Sequence, residues 1–538
     1  MPEKINGKKK LLFDCFIVSL FALLIYSRFV GLNWGLPYPM HPDERNMANA
    51  VQQLNCKVSN FRECFNPRFF AYGQFPLYIS YLLVWAVRGF RNFGKIIINF
   101  EEAVMSLRVI SAMASVINAI IIIKIINIII KKNFYLLSFI SYLLVIFSPF
   151  FIQFSHFGTT ESLLMLFYSL IIYFSMLMLE SCTTDAVVWL ALVSGLAVAT
   201  KVSSAIFLVV PVTVLISKIK DQRSNLSSKL KALNLTLGFT LCTFIFALVF
   251  SPYNFINFQD FVSSIKYESN VALGKTLVFY TRQFFNTVPV WFQLTKVFPY
   301  VLGWPVLILG VLGFLGGLRW KDRKINLLRF AFLVYFLPNA FLFAKWARFM
   351  APIFPIVTVF AVLFLMRIRV INVIKIIIII LAVLPGLAYL SIYQNPDVRF
   401  QASEWIYKNI PENSYVLSET ANVVDLPISN KSYKSYKNYK YISFNFYDLD
   451  ESSELQLELK DYIEKADYIF VPSRRLFTNH PKDKYPLLNN YYEKLFNGKF
   501  GYEKVAEFSA GLNDENAEET WTVFDHPVIR IYKKVKSF

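Results

Sequence analysis

Charge is what this sequence has least of. Only 17% of its 538 residues are Asp, Glu, Lys or Arg, while 56% are hydrophobic and 17% aromatic, with a mean hydropathy of +0.45. A soluble globular protein carries roughly a quarter charged residues, so that class is excluded, as are disordered and collagen-like chains. Five cysteines make no disulfide scaffold. Cys56 and Cys64 lie close together in a segment read as outside, and either a disulfide or two free thiols fits. No GxxxxGK[ST] loop or dinucleotide fingerprint is present, which leaves an ATP or nucleotide-sugar site unsupported.

The formal net charge of +19 would suggest a nucleic-acid partner in a soluble protein. Its distribution says otherwise. From Ser391 onward there are 19 basic and 22 acidic residues, whereas the preceding part holds 36 basic and only 14 acidic ones. The excess cation therefore lies among the apolar runs, as the positive-inside rule expects of cytoplasmic loops, and no nucleic acid is implied.

A membrane span needs about 20 apolar residues. Candidates are 11–31, 104–130, 134–152, 162–180, 186–200, 203–217, 232–251, 298–318, 327–344, 350–366 and 372–392. The first follows Lys8, Lys9 and Lys10 but is long for a signal peptide and lacks a small-residue cleavage site, so it reads as an uncleaved anchor. The basic clusters Lys4 to Lys10, Lys131 and Lys132, Lys218 to Lys231, Arg319 to Arg329, and Arg367 to Lys375 fall after every second span. About eleven spans then carry the chain from a cytoplasmic N-terminus to an extracytoplasmic C-terminal region. A further apolar stretch, 75–90, would invert every later loop if it crossed. With a Pro start, aromatic residues and a basic end, it reads as a helix in the outer interface.

The expected architecture is thus a polytopic α-helical membrane domain over 1–392, with a long first outer loop at 33–103, and a small extracytoplasmic α/β domain over 393–538. In the latter, an amphipathic ASEWIYKNI is followed by NIPENSYVLSE, an acidic helix-like ESSELQLELKDYIEKA, a strand-like DYIFVP and a closing HPVIRIYKK, an α/β pattern. The Tyr- and Lys-rich PISNKSYKSYKNYKY reads as a solvated loop, with sugar stacking as the sharper alternative.

The 14 acids of the membrane part are few enough to sort by side, and none falls confidently in mid-span. Ion-coupled transporters usually place ionisable groups near the midplane, so a reaction at the outer surface is favoured over a transporter or flippase of lipid-linked sugars, which remains the alternative. The densest outer constellation is YPMHPDERNMANAVQQL. Pro42, Asp43 and Glu44 look like a helix first turn, with Met47, Val51 and Leu54 as its apolar face. The helix dipole there favours ionised carboxylates. Adjacent helical residues project about 100° apart, so one of Asp43 and Glu44 faces a reacting group while the other braces the loop. His41 beside them is at most weak evidence for a metal.

A second constellation, IFSPFFIQFSHFGTTESLL, offers Glu161 and His156 on the same side; helix capping after Thr159 and Thr160 is the plain alternative for Glu161. Three cations follow at outer membrane depth: Arg108 in SLRVISAMAS, Lys201 in GLAVATKVSSAIF and Arg348 in KWARFMAPIFPI. Each alone can snorkel to the interface; together they can bind a phosphate whose lipid tail lies in the bilayer.

HPDE after the first span, FSPFFIQFSHFGTTES, GLAVATKVSSAIFLVVP, RFMAPIFP, DVRFQASEWIYKNIP and the closing WTVFDHPVIRIYKK together resemble the GT-C integral-membrane glycosyltransferases, in particular the branch of protein O-mannosyltransferases and the lipid A aminoarabinose transferase. The resemblance implies hexosyl or pentosyl transfer from a polyprenyl-phosphate-linked sugar donor to a protein, lipid or glycan acceptor, outside the cytoplasm. It implies catalytic Asp43 with Glu44 as the companion acid, Glu161 in place of the family's usual Asp in a second-loop acceptor or metal-contact site, and donor-phosphate binding by Arg108, Lys201 and, more loosely, Arg348. A divalent metal is compatible with the family, but no ligand set is assigned. The topology predicts that single cysteines at positions 43, 91 and 161 react with an impermeant thiol reagent applied from outside and that one at 131 does not. Labelling at 131 would invert the scheme.

Overall fold

A computed structural model describes residues 7–56, 63–91, 93–130, 135–220, 226–318, 321–420, 423–428 and 438–535. Lys131, Lys132 and most of the Tyr- and Lys-rich segment, 429–437, lie outside the described residues. The chain begins with helix α1 (Gly7–Phe29), a short α2 (Pro42–Gln52), α3 (Phe75–Val87) and a long α4 (Phe100–Ile130). Then come α5 (Tyr135–Ile146), α6 (Pro149–His156), α7 (Glu161–Glu180), α8 (Thr184–Thr200), α9 (Val209–Ile219) and α10 (Leu226–Phe250). Among the described residues, six helices are long and apolar enough to cross a membrane, or seven if one bent pair counts as a single span. The chain is a multi-pass membrane protein.

Several expected spans are shorter or interrupted, and the interruptions have local causes. The stretch 134–152 breaks between α5 and α6 because Pro149 has no N–H to offer the carbonyl of Val145. Arg28, fully buried, fills the gap. Its Nη2 donates to Val145 O (2.8 Å), Nη1 to Ile146 O (2.9 Å) and Nε to the Ser115 hydroxyl (3.0 Å), tying α1 and α4 to the break. The stretch 298–318 bends by 113° where Gly303, at φ 76°, separates Gln293–Leu302 from Trp304–Gly316. Helix α3 has 13 residues, a rise of about 20 Å. That is too short for a hydrocarbon core of about 30 Å. Its Leu77, Tyr81 and Val84 instead pack with Met47, Val51 and Leu54 of the α2 segment and with Val104 and Leu107 of α4.

After α10 come α11 (Tyr253–Ile256), the amphipathic α12 (Phe258–Ala272), α13 (Phe298–Leu302), α14 (Trp304–Leu312), α15 (Arg323–Ala340), α16 (Phe354–Arg367) and α17 (Asn372–Gln394). The span Ala347–Arg367 and helix α7 are central, with 83% and 72% of their most apolar stretches buried; Lys229–Phe250, at 11%, is peripheral and turns its apolar side chains outward.

The C-terminal region carries a five-stranded sheet, with β1 (Tyr415–Glu419), β2 (Lys440–Phe444), β3 (Tyr468–Val471), β4 (Tyr502–Phe508) and β5 (Ile529–Lys534) in the order β2-β1-β3-β5-β4. β1 pairs parallel with β2 and β3, and β5 antiparallel with β3 and β4. Helices α18 (Val398–Asn409), α19 (Ser453–Lys465) and α20 (Pro486–Phe496) accompany it, and the one-turn α21 (Glu519–Thr522) precedes β5.

The segment just before β5 is fastened to the membrane helices through Asp525. Its Oδ2 accepts from Tyr393 (2.7 Å), Tyr389 (2.9 Å) and, more weakly, Gln153 (3.3 Å), while Oδ1 faces His526 Nδ1 at 2.5 Å. His526 Nε2 meets Asp514 at 2.9 Å. Burial disfavours the imidazolium, but the two carboxylates outweigh it and push His526 up to about 10. The raised folded-state value means that this cluster stabilises fully below the unfolded His value near 6.5 and loses its contribution as pH rises through about 10. The thermal stability of the solubilised protein should therefore decline between pH 7 and 10, and His526→Gln should flatten that decline in a melting series.

Candidate functional site

The end of the bundle that carries α2 holds a cavity of about 510 Å³. Helix α2 supplies Pro42, Asp43, Arg45 and Asn46; the loop before α3 supplies Tyr72. α12 adds Tyr267 and Glu268, and Trp346 and Arg348 come from the start of the central span. The C-terminal region closes it with Val423, Arg475, Glu519, Thr520 and Phe524. Val423 and Arg475 follow the parallel strands β1 and β3, so the cavity lies off the carboxyl edge of that part of the sheet, where ligand crevices of parallel sheets usually lie.

Helix α2 is aimed by its first turn. His41 caps it, with Nδ1 accepting from the Glu44 N–H at 3.4 Å, and Pro42 occupies a position that needs no donor. The cap requires a neutral imidazole, and burial holds His41 below its ordinary value. Its ring packs between Phe157 (4.6 Å) and Phe524 (4.3 Å), and its cap role leaves Nδ1 occupied.

Glu44 and Asp43 diverge as their helical spacing requires. Glu44 is 2% exposed and is held by a two-point pair with Arg108: Oε1 to Nε and Oε2 to Nη2, both 2.7 Å. Its Oε1 also accepts from Gly158 N at 2.7 Å. A Cβ at Gly158 would stand 2.7 Å from the Leu107 Cβ and 3.0 Å from that oxygen, so glycine is required at this approach. Arg108 spends Nη1 on the carbonyls of Leu32 (2.7 Å) and Trp34 (2.8 Å), and lies 4.4 Å from the Trp34 ring.

Glu44 is thereby turned inward, and Arg108 is engaged by it and by backbone carbonyls. His156 lies apart from the cavity lining: its ring nitrogens lie 2.7 Å from the carbonyls of Ile152 and Val30, and its ring stacks on Tyr393 at 3.7 Å.

Asp43 faces the cavity. Its Oδ2 accepts from Arg348 Nη1, and the Tyr72 hydroxyl hydrogen-bonds to it. Burial raises its carboxyl, but Arg348, Lys201 and Tyr72 hold it below the usual carboxylate range, so it is ionised at neutral pH. Lys201 follows α8, with its ammonium over the Tyr72 ring (5.0 Å) and the Phe349 ring (5.4 Å). Gly73 permits this contact, since a Cβ there would lie 1.9 Å from Ala199 O. Glu161, 3% exposed at the start of α7, is an electrostatic neighbour of Lys201 and Arg348. Glu268 joins the same group; burial and Asp43 raise its carboxyl while Arg348 and Lys201 lower it, with a net upward shift.

The structure therefore brings Asp43, Arg348, Lys201 and Glu161 together and sets Glu44, Arg108 and His156 apart. Tyr72, Glu268 and Phe524 were not singled out from sequence. Only the quoted WTVFDHP ending pointed near any of them.

Residues 92–248 match the family model of the dolichyl-phosphate-mannose-protein mannosyltransferases. Over that stretch, under a third of its length, the chain is similar to this family of membrane glycosyltransferases. Similar solved structures include ArnT from Cupriavidus metallidurans bound to undecaprenyl phosphate, at 11% identity over 98% of each chain and a TM-score of 0.46. The Archaeoglobus fulgidus oligosaccharyltransferase is 10% identical over 90% of this chain and 73% of that one, with a TM-score of 0.47. The Saccharomyces cerevisiae Pmt1-Pmt2 complex bound to its sugar donor is 17% identical over 48% of this chain and 34% of that one, with a TM-score of 0.34. This chain spans about a third of the length of that yeast chain. No curated protein matches in sequence.

Cysteines 56 and 64 are joined in a disulfide, one of the two alternatives that sequence left open. Among the described residues, no group of three or more His, Cys, Asp or Glu side chains could hold a metal ion. Asp43 is already engaged by Arg348, so the donor set does not fit a bound metal and no step is assigned to one.

Breaking a buried pair by removing one partner costs about 3–5 kcal/mol. Arg108→Leu should therefore destabilise the solubilised protein on that scale, with much of the loss recovered in the Glu44→Leu/Arg108→Leu double variant, as read by thermal unfolding. A donor-phosphate ligand would instead show a raised donor KM with stability unchanged.

Proposed function

We propose that the protein transfers a sugar from a polyprenyl-phosphate carrier to an acceptor hydroxyl on the extracytoplasmic side, with inversion at the anomeric carbon. The observation that carries this reading is Asp43, an ionised carboxylate in the cavity beside Arg348 and Lys201. The matched family is named for a dolichyl-phosphate sugar donor, and the ArnT structure holds undecaprenyl phosphate, which agrees with such a carrier.

The chemistry needs a base and a cationic cradle. The acceptor oxygen attacks the anomeric carbon while its proton passes to Asp43. The bond from that carbon to the phosphate oxygen breaks, and its electron pair leaves with the carrier phosphate. That group is a weak base and needs charge stabilisation more than a proton, which Arg348 and Lys201 supply. Without donor, Arg348 neutralises Asp43. A phosphate drawn to Arg348 and Lys201 competes for that guanidinium and releases the carboxylate for the acceptor. Glu161, an electrostatic neighbour of Lys201, offsets part of the cost of burying that charge, and Glu268 lines the cavity.

Loss of a general base typically costs 10²–10⁴-fold, so Asp43→Asn should lower transfer from a defined polyprenyl-phosphate sugar by roughly that factor in membranes where the variant is inserted normally. A wild-type rate would overturn the mechanism. Because Asp43 is held below the usual carboxylate range, its protonation should not limit the rate above about pH 4.

A further inference from the structure

The two members of the Asp43–Arg348 pair come from segments 305 residues apart, and a third segment touches the supports of both. Glu518, 1% exposed, accepts through Oε2 from the backbone N–H of Ala347 (3.0 Å), the residue before Arg348. Its other oxygen accepts from Gln283 Nε2 (2.8 Å), and its own N–H donates to Lys296 O (2.8 Å). Six residues on, Phe524 lies against the His41 ring whose nitrogen caps α2.

Between and beyond these contacts the segment is fixed at both levels. Gln153 donates to Trp521 O (2.8 Å), Asp525 is held by Tyr389 and Tyr393, and Arg399 Nη2 donates to the carbonyls of Val523 (3.0 Å) and Phe524 (2.5 Å). Two of the segment's contacts reach the elements that carry Asp43 and Arg348: Glu518 on the Ala347 N–H and Phe524 on the His41 ring.

We propose that residues 518–526 are a strap through which the C-terminal region sets the Asp43–Arg348 pair, with Glu518 and Phe524 as positioning residues. Glu518 fixes the backbone from which Arg348 projects, and Phe524 fixes the capped turn from which Asp43 projects. The cavity is thus a joint product of the membrane helices and the C-terminal region, and chemistry requires both. This rests on the reading of Asp43 as base.

The full-length protein tests it with Glu518→Ala, Glu518→Gln and Phe524→Leu, alongside Asp43→Asn. Glutamine keeps an oxygen for the Ala347 N–H and gives up only the contacts of the other oxygen with Gln283 and Thr520. Misplacement by about 1 Å can cost about 100-fold. Glu518→Ala should therefore lower kcat on that scale and, because Arg348 also meets the donor phosphate, raise donor KM. It should also speed amide exchange across residues 345–350, and Glu518→Gln should restore most of both.

The pH profile adds a signature that simple loosening would not produce. Asp43 is faced by His41 at the cap of its own helix and by Tyr72, Lys201, Glu268 and Arg348 from the elements packed around it. Displacing Arg348 removes its strongest lowering neighbour, so the acid limb of the rate should move to higher pH in Glu518→Ala and stay in place in Glu518→Gln. If Glu518→Ala does not insert, Phe524→Leu carries the same kinetic expectation through the other arm of the strap. Unchanged exchange, or a kcat within twofold of wild type while Asp43→Asn is inactive, would overturn the strap. An active Asp43→Asn would overturn the base alone, and the exchange result would still judge the strap.

Discussion

The structure depends on one constraint: a charge removed from water must be met by another charge or by oriented hydrogen bonds. Glu44 and Arg108 satisfy it together, and so fix where helix α2 sits. With Glu44 locked inward by Arg108 and Gly158, the helical turn obliges its neighbour Asp43 to project elsewhere, into the cavity. Arg28 obeys the same rule at the broken α5–α6 segment, where a proline frees a carbonyl and a guanidinium takes it up.

The paired and buried groups form two levels. The inner one, Glu44 with Arg108, aligns the first loop against α4 and the α6–α7 turn. The outer one, centred on Asp525 and Glu518, fastens the last strand's lead-in to the helices. The working pair, Asp43 with Arg348, lies between them, and is less buried than either, its side chains about one fifth exposed. That gradient suits a site that must be rigidly framed yet open to exchange one anionic partner for another.

Much of the fold was legible because it follows from periodicity and composition. The apolar face of α2, the strand in DYIFVP and the acidic α19 lie where their patterns put them. The breaks were less legible. Pro149 and Gly303 are visible in the sequence, but whether a proline or glycine interrupts or merely bends a helix depends on what takes up the freed backbone groups. Asp43 stood out from sequence because acids are scarce and its neighbours form a helix start. Tyr72 and Glu268 did not, because a tyrosine in an aromatic-rich chain and one acid on a surface helix carry no local signal.

The sequence by itself determined that this is a multi-pass membrane protein and that Asp43 and Glu44 project in different directions, since adjacent helical residues lie about 100° apart. Only the tertiary structure decided which of them turns inward and which faces the cavity. Arg108, Lys201 and Arg348 are indistinguishable as sequence, each a lone cation near a span end. Their roles separate only when the fold sets Arg108 against Glu44 and backbone carbonyls in a dry interior, and sets Arg348 and Lys201 around the carboxylate that faces the cavity. The surroundings decide because the energy of a charge is set by its solvent and its partners, and those are assembled from segments hundreds of residues apart.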